Sequence, residues 1–203
     1  MHAAKRLLDV CLAGGGLVVS APIALIVCAL IKLEDGGPVF FAQERVGWHG
    51  RPFAALKFRS MAPDAEARVG PVQSGENDPR VTRMGKLMRA TALDELPQLW
   101  NIFRGDMSFV GPRALRPGEI EVNGDGTVQR LEDVPGFEGR CAVLPGLTGV
   151  AQIYAPRDVP RRHKFRYDKL YIRHQSLWLD IRLILLSFWI TFRGTWEKRG
   201  KKF

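Results

Sequence analysis

The sequence is poor in cysteine and histidine, and the few it has are scattered. None of its three cysteines has the spacing of a disulfide pair, and no cysteine or histidine pattern matches a zinc site. Two of the cysteines lie in an apolar run, where cysteine usually acts as a small hydrophobic residue. These absences indicate a reducing, cytoplasmic setting. The sequence also lacks internal repeats, and its 203 residues suit one domain with a core.

Negative charge is scarce only at the C-terminal end. The formal net charge is +9, and residues 1–160 carry equal numbers of acidic and basic side chains. Residues 161–203 hold 12 Lys+Arg against 3 Asp+Glu. A basic tail binds nucleic acid or an anionic membrane surface. A membrane-anchored nucleic-acid-binding protein, or a scaffold with a basic tail, is therefore one alternative interpretation.

A long run without charge covers residues 10–31. At about 1.5 Å per residue it can cross a bilayer core of about 30 Å, and it is too long for the core of a signal peptide. Pro22 removes a hydrogen bond within the run and predicts a bend. Residues 1–33 are thus predicted as a membrane helix. It is either broken near Pro22, so that it enters and leaves by one face, or tilted as a single span, and a buried soluble helix is the third alternative.

Two neighbouring carboxylates stand out within residues 89–113. Asp94 and Glu95 are predicted to lie near the start of a short helix, with Thr91 as its N-cap and Pro97 in its first turn. A carboxylate at a helix N-terminus stays ionised, and the same end can bind phosphate. The alternative is an ordinary capped surface helix with solvated acids. Apolar residues then repeat along one predicted face: Leu96, Leu99, Trp100 and Phe103.

Basic residues surround these acids in the sequence. Arg89 can pair with the acids, and Arg113, in a Gly-Pro-Arg turn, presents a planar fork for phosphate oxygens. Lys57 and Arg59 lie among apolar residues, which is also the pattern of a plain amphipathic face. Residues 145–152 contain glycines that suit a tight turn with exposed N–H groups, which can hold an anion or form an ordinary turn.

The C-terminal part is predicted to form two helical stretches. The second has an apolar stripe over residues 177–192 that is too short to span a membrane. This pattern is typical of an amphipathic helix at a membrane interface or of a core helix. The basic surplus and the tryptophans favour the interface. Residues 34–203 are predicted to form a cytoplasmic domain with interfacial C-terminal helices.

The segment ALDELPQLWNIFRGDMSFVGPR resembles the signature of the bacterial sugar transferase family, the small monotopic phosphoglycosyl transferases. GPVFF, QERVG, KFRSM and PGLTG appear in the family's order, so the resemblance covers nearly the whole chain. It implies an α+β, mainly helical fold. An N-terminal re-entrant membrane helix would precede a compact catalytic domain on the cytoplasmic face of a bacterial inner membrane. Two departures are an alanine between Ser20 and Pro22, and Ala114 where the family often has proline.

The implied reaction transfers a sugar-1-phosphate from a UDP-sugar to a polyprenyl phosphate such as undecaprenyl phosphate, with release of UMP, in glycoconjugate or exopolysaccharide synthesis. By resemblance, Asp94 is a nucleophile that forms a covalent phosphosugar-aspartyl intermediate. Asp94 and Glu95 would hold Mg²⁺, and an alternative catalytic role for Glu95 is to assist proton transfer. The implied partners are the two substrates and the bilayer, without nucleic acid, and a homodimer is one open alternative. The resemblance places six further residues at the substrate phosphate or nucleotide: Lys57, Arg59, Arg89, Arg113, Thr148 and Gln152.

Overall fold

The computed structural model describes most of the chain as a mainly helical structure with six short strands, in agreement with the predicted mixture of helices and strands. Two parts of the chain lie largely outside the described residues: the last ten, basic-rich residues, and the polar stretch 63–80, whose glycine, asparagine and proline content predicts a surface loop. The described residues are 3–63, 65, 78–122, 126–156 and 159–193.

The apolar run forms one helix, α1 (Ala3–Asp35), which is long and apolar enough to cross a membrane. The helix continues through Pro22, so the expected break does not interrupt it. A proline removes only one backbone hydrogen bond, and the turns on either side can keep the helix. Only 11% of its most apolar window is buried, which is not the pattern of a core helix in a soluble protein. The re-entrant path stays a prediction.

Both halves of α1 pack on the remaining chain along a narrow face. Ala13 lies in the main core, and Val27 and Ile31 pack with Phe58 and Met88 in a second cluster. The opposite face exposes large aliphatic side chains that include Val18, Val19, Leu25 and Ile26.

Three two-stranded sheets follow. Strands β1 (Phe40–Val46) and β2 (Pro52–Phe58) form an antiparallel hairpin. Strands β3 (Ser108–Val110) and β6 (Gly146–Thr148) pair in parallel. Strands β4 (Ile120–Val122) and β5 (Val128–Arg130) form a second hairpin. The first hairpin and the parallel pair are the two that approach the candidate site.

Two helices flank the carboxylate pair, α2 (Arg83–Thr91) and α3 (Gln98–Arg104). Thr82 caps α2, because its side-chain oxygen accepts a hydrogen bond from Gly85 N at 2.9 Å. The predicted role of Thr91 as an N-cap is wrong. Thr91 is the last residue of α2, and its hydroxyl donates backward to the carbonyl of Leu87 at 2.8 Å.

The C-terminal part contains α4 (Phe137–Cys141), α5 (Val150–Tyr154), α6 (Arg161–Arg173) and α7 (Leu177–Phe192). The two predicted helical stretches correspond to α6 and α7. The interpretation of the apolar stripe as a core helix is confirmed for one face of α7, because Leu183 and Ile190 are fully buried in the core, and the interfacial interpretation stays a prediction. The other face exposes Trp178, Leu185, Phe188, Trp189 and Phe192.

Candidate active site

The carboxylate pair lies in the connection between α2 and α3. Ala92 has φ 56°, a left-handed conformation that turns the chain after α2. A single 3₁₀ turn, Leu93–Glu95, carries both acids, and α3 begins only at Gln98. The two acids lie near the start of a short helix, as predicted, but in a separate 3₁₀ turn and not in the first turn of α3. The helix dipole, which acts over the first turn, does not explain the charge of these acids.

Lys57, near the end of β2, contacts both acids. Its Nζ lies 2.6 Å from Glu95 Oε1 and 4.0 Å from Asp94 Oδ2. The ammonium therefore makes a short charge-assisted hydrogen bond to Glu95 and a longer ion pair with Asp94. This arrangement leaves Asp94 as the less firmly paired carboxylate.

A buried asparagine fixes β2 against α3 and so sets the position of Lys57. Asn101 Oδ1 accepts from Leu56 N at 2.9 Å, and its Nδ2 donates to the carbonyl of Ala54 at 2.8 Å and to Asp106 Oδ2 at 3.1 Å. Asn101 was not among the residues predicted for the site. At about 100° per residue it lies away from the predicted apolar face of that helix, so the periodicity gave no signal for it.

The two acids have opposite pKa shifts. Burial raises the pKa of Asp94 to about 6, the nearby charge of Glu95 adds to this, and Lys57 and Arg89 oppose it. Burial also favours the neutral form of Glu95, but Lys57 and Arg113 outweigh it and hold the Glu95 pKa at about 2. At neutral pH both acids are ionised, and Asp94 is the more basic carboxylate and hence the better nucleophile.

Two of the predicted arginines lie beside this pair. Arg89, near the end of α2, donates from Nε to Ser60 Oγ at 3.0 Å, and its charge acts on Asp94. Arg113 places Nη2 3.9 Å from Glu95 Oε1 and is about half exposed, with 52% of its side chain accessible. An exposed guanidinium next to a carboxylate can still reach an incoming phosphate.

A shallow open cavity adjoins the Glu95 side of the pair. Lys57, Glu95 and Arg113 line it, together with Arg45 from β1 and the backbone around Gly146. Arg45 was not among the residues predicted for the site. Its only signal in the sequence was its place in the QERVG block.

Arg59 lies elsewhere, although it follows Lys57 by only two residues. Its buried side chain forms an ion pair with Asp35 at the end of α1. No ion pair joins Arg59 to Asp94 or Glu95 in the described residues. Side chains alternate between the faces of a strand, but β2 ends at Phe58, so Arg59 is free to turn toward α1.

Thr148 and Gln152 lie at the Gly-Pro-Arg turn. The carbonyl of Thr148 accepts from Gly111 N at 2.9 Å, and Gln152 Nε2 donates to the carbonyl of Gly111 at 3.4 Å. A parallel bridge pairs Arg113 with Gly146. These contacts support the turn that presents Arg113.

The carboxylate pair suits a magnesium ion in its donor chemistry. Asp94 and Glu95 supply carboxylate oxygens next to the open cavity, and Mg²⁺ typically takes one or two carboxylates, waters and substrate phosphate oxygens. Within the described residues, no group of three or more His, Cys, Asp or Glu side chains could hold a metal. An ion at this pair would therefore take its further ligands from waters and substrate phosphate oxygens.

Comparison with known proteins gives consistent results. The model of one family, described as bacterial sugar transferase, matches residues 1–194. The chain is 37% identical over 195 residues to the exopolysaccharide production protein ExoY of Rhizobium meliloti. The matched region covers 89% of this chain and 82% of that protein.

Two further relatives have names that state a reaction. One is the UDP-glucose:undecaprenyl-phosphate glucose-1-phosphate transferase of Klebsiella pneumoniae, 39% identical over 94% of this chain. The other is the UDP-N-acetylgalactosamine-undecaprenyl-phosphate N-acetylgalactosaminephosphotransferase of Aeromonas hydrophila, 38% identical over 89% of this chain. The chain spans only 40% and 41% of the length of these two proteins.

Proposed function

This chain belongs to the bacterial sugar transferase family, and on that premise we propose that it transfers a sugar-1-phosphate from a UDP-sugar to undecaprenyl phosphate. The observation that carries the proposal is the pair Asp94 and Glu95, held by Lys57 and flanked by Arg89 and Arg113. Phosphoryl transfer needs positioned cations around a nucleophile, and this site supplies both. The names of the Klebsiella and Aeromonas relatives support the same donor and acceptor classes.

In the proposed first step, a carboxylate oxygen of Asp94 attacks the sugar-bearing phosphorus of the UDP-sugar. A P–O bond forms to Asp94, the bond from that phosphorus to the bridging oxygen breaks, and UMP leaves with the electron pair. In the second step, an oxygen of the polyprenyl phosphate attacks the same phosphorus. The carboxylate of Asp94 is released, and a polyprenyl-diphosphate sugar forms.

The chain's own residues have distinct tasks in this proposal. Burial of Asp94 removes water that would otherwise solvate the nucleophile, and its pKa of about 6 keeps it ionised at neutral pH. Lys57 and Arg113 neutralise Glu95, so that a second carboxylate near the substrate does not repel the incoming phosphates. Mg²⁺, held by Asp94 and Glu95, would supply further neutralisation of phosphate charge.

We also propose that α1 lies in the bilayer with both ends on the side of the catalytic domain. At its start, Lys5 Nζ lies 2.8 Å from Asp180 Oδ2, and Arg6 Nη1 donates to the carbonyl of Ile102 at 2.7 Å. At its end, Glu34 accepts from Arg83 N at 2.8 Å. These contacts attach both ends to one domain, which supports a monotopic arrangement. We propose the cytoplasmic face of the inner membrane as its location because a UDP-sugar donor is cytoplasmic.

The exposed apolar face of α7 supports the same arrangement. Trp178 and Phe192 are 75% and 88% exposed, and a solvated surface rarely displays so many large apolar side chains together. We propose that this face lies in the membrane interface, where tryptophan is enriched.

The test of the proposed chemistry is a reaction without acceptor. The full chain in detergent micelles receives Mg²⁺ and a panel of radiolabelled UDP-sugars but no polyprenyl phosphate. We expect at most one UMP per protein and labelled phosphosugar on the peptide that contains Asp94. Asp94→Asn should show neither the adduct nor, with acceptor added, any product.

Two results would contradict this mechanism. Product formation without any labelled protein would show direct transfer. A label that maps to Glu95 would reverse the roles of the two acids.

A further inference from the structure

The cavity beside Glu95 carries more positive than negative charge. Its charged lining consists of Arg45, Lys57 and Arg113 against the single carboxylate of Glu95. Lys57 already occupies Glu95 Oε1 at 2.6 Å, whereas Arg113 approaches it only to 3.9 Å. The acid therefore neutralises one of the three cations, and the other two remain available to an anion.

Of the three cations that line the cavity, Arg45 is the one without a carboxylate in direct contact among the residues that the structure describes. Its Nη1 donates to the carbonyl of Ala114 at 3.0 Å, and its Nη2 donates to Gln43 Oε1. Both acceptors are neutral. In the described part of the chain, no carboxylate lies within 4.0 Å of this guanidinium. Its two hydrogen bonds fix it in place without neutralising it.

Further arginines surround Arg45. Burial, followed by the like charges of Arg113 and Arg116, lowers the pKa of Arg45 to about 10. The charge of Glu119 opposes this lowering, but its carboxylate forms an ion pair with Arg161, which itself adds to the repulsion. A cluster of fixed guanidinium groups with too few acids is stabilised when a phosphate binds among them.

The positions of the cations around the two acids indicate which phosphate of a diphosphate substrate would bind at Arg45. Arg89 acts on Asp94, Lys57 acts on both acids, and Arg113 and Arg45 act on Glu95. The attacked phosphorus must lie at Asp94. The second phosphate of a diphosphate shares one bridging oxygen with the first, so it lies beside the first, on the Glu95 side.

We propose that Arg45 binds the phosphate that remains on the nucleoside, and thus holds the UMP leaving group. The inference rests on the proposed function for the identity of the donor. It adds a residue from the β1–β2 hairpin to the site. Its guanidinium would stabilise the charge that develops on the phosphate as the bond to the bridging oxygen breaks.

The test measures binding of UMP and of uridine to the full chain in detergent micelles by calorimetric titration, with no sugar donor present. Arg45→Gln should weaken UMP binding at least tenfold and leave uridine binding unchanged, because only UMP carries the phosphate. Its UMP affinity should also depend less on salt concentration. Arg51→Gln is the matched control, since Arg51 is an exposed arginine of the same hairpin. It should bind UMP like the wild type.

Wild-type affinity for UMP in Arg45→Gln would overturn the inference, and so would the absence of UMP binding by the wild type. Weakened UDP binding with unchanged UMP binding would also overturn it, since Arg45 would then contact the other phosphate. If Arg45→Gln fails to fold, the UMP affinity of Arg45→Lys is measured instead, because this variant keeps the charge and loses the planar fork. Several-fold weaker UMP binding supports the inference, and wild-type binding overturns it.

These outcomes are separable from the proposed function. Arg45-dependent UMP binding without turnover of any UDP-sugar would leave this inference standing and the proposed reaction wrong. Normal turnover with an unchanged donor KM in Arg45→Gln would leave the proposed reaction standing and this inference wrong.

Discussion

At the scale of single residues, Asp94 and Glu95 are neighbours in the chain with different electrostatic surroundings. Glu95 has a 2.6 Å contact with Lys57, and the same ammonium is 4.0 Å from Asp94. Because the positive charge of Lys57 stabilises the Asp94 carboxylate less than that of Glu95, burial dominates and raises the pKa of Asp94 to about 6. The more basic acid of the pair is also the one that the family signature assigns as the nucleophile.

This difference predicts a pH dependence for the first half-reaction. Since the pKa of Asp94 is raised to about 6, the carboxyl is protonated below that pH and cannot attack phosphorus. Adduct formation should therefore rise with pH through about 6 and then level off. Single-turnover trapping of the labelled protein between pH 4.5 and 8 measures this rate.

Glu95→Gln provides the second arm of the experiment. It removes the like charge beside Asp94 and leaves Lys57 for Asp94 alone, so the acid limb should move to lower pH. An unshifted limb in this variant, or a wild-type limb near pH 4, would contradict the assignment of the titrating group to Asp94.

At the scale of elements, α2 is the helix that delivers Arg89 to the site, and its N-terminus is well capped. Thr82 accepts from Gly85 N at 2.9 Å, and Glu34 of α1 accepts from Arg83 N at 2.8 Å. Together they satisfy donors that have no partner within the helix. The end of α1 therefore contributes directly to the position of α2.

A pair of threonine substitutions tests which residue caps the helix. Thr82→Ala should lower the free energy of unfolding by about 1 kcal/mol, the typical cost of losing an N-cap. Thr91→Ala should lower the free energy of unfolding clearly less, since the Thr91 hydroxyl only donates a hydrogen bond back to the carbonyl of Leu87. Urea unfolding of both variants in the same detergent compares them, and equal or reversed costs would favour the cap predicted from sequence.

At the scale of the whole molecule, the ends of α1 are tied to the domain that carries the site. Lys5 also donates to Tyr171 OH at 3.2 Å and to the carbonyl of Val110 at 3.0 Å. Asp9 is buried and accepts from Phe109 N at 3.0 Å. A helix that spanned the membrane would place the start of α1 across the bilayer from these partners, which would break every one of these contacts.

Cysteine labelling tests this arrangement in sealed vesicles. In a background with Cys11, Cys28 and Cys141 replaced by serine, Ala4→Cys and Arg51→Cys each provide one exposed thiol. Both thiols should react with an impermeant reagent only from the cytoplasmic face, because both positions lie on the catalytic side. Labelling of the two positions from opposite faces would establish a spanning helix.

The sequence alone determined the features that depend on local order. An uncharged run of this length must be a helix in lipid, and the apolar periodicity near the C-terminus matches α7. The acids and their signature were also visible, because they are contiguous in the chain. Lys57 was placed at the site by resemblance alone, since 38 residues separate it from Glu95.

Only the tertiary structure decided which arginines meet the acids and how the acids are charged. Arg59 pairs with Asp35, whereas Arg45 lines the cavity, and no spacing in the sequence distinguishes the two. The pKa of Asp94 depends on burial, on the neighbouring Glu95 and on the charges of Lys57 and Arg89 from two other segments of the chain. Desolvation and charge–charge energy are functions of distance in space, and distance along the chain does not set them.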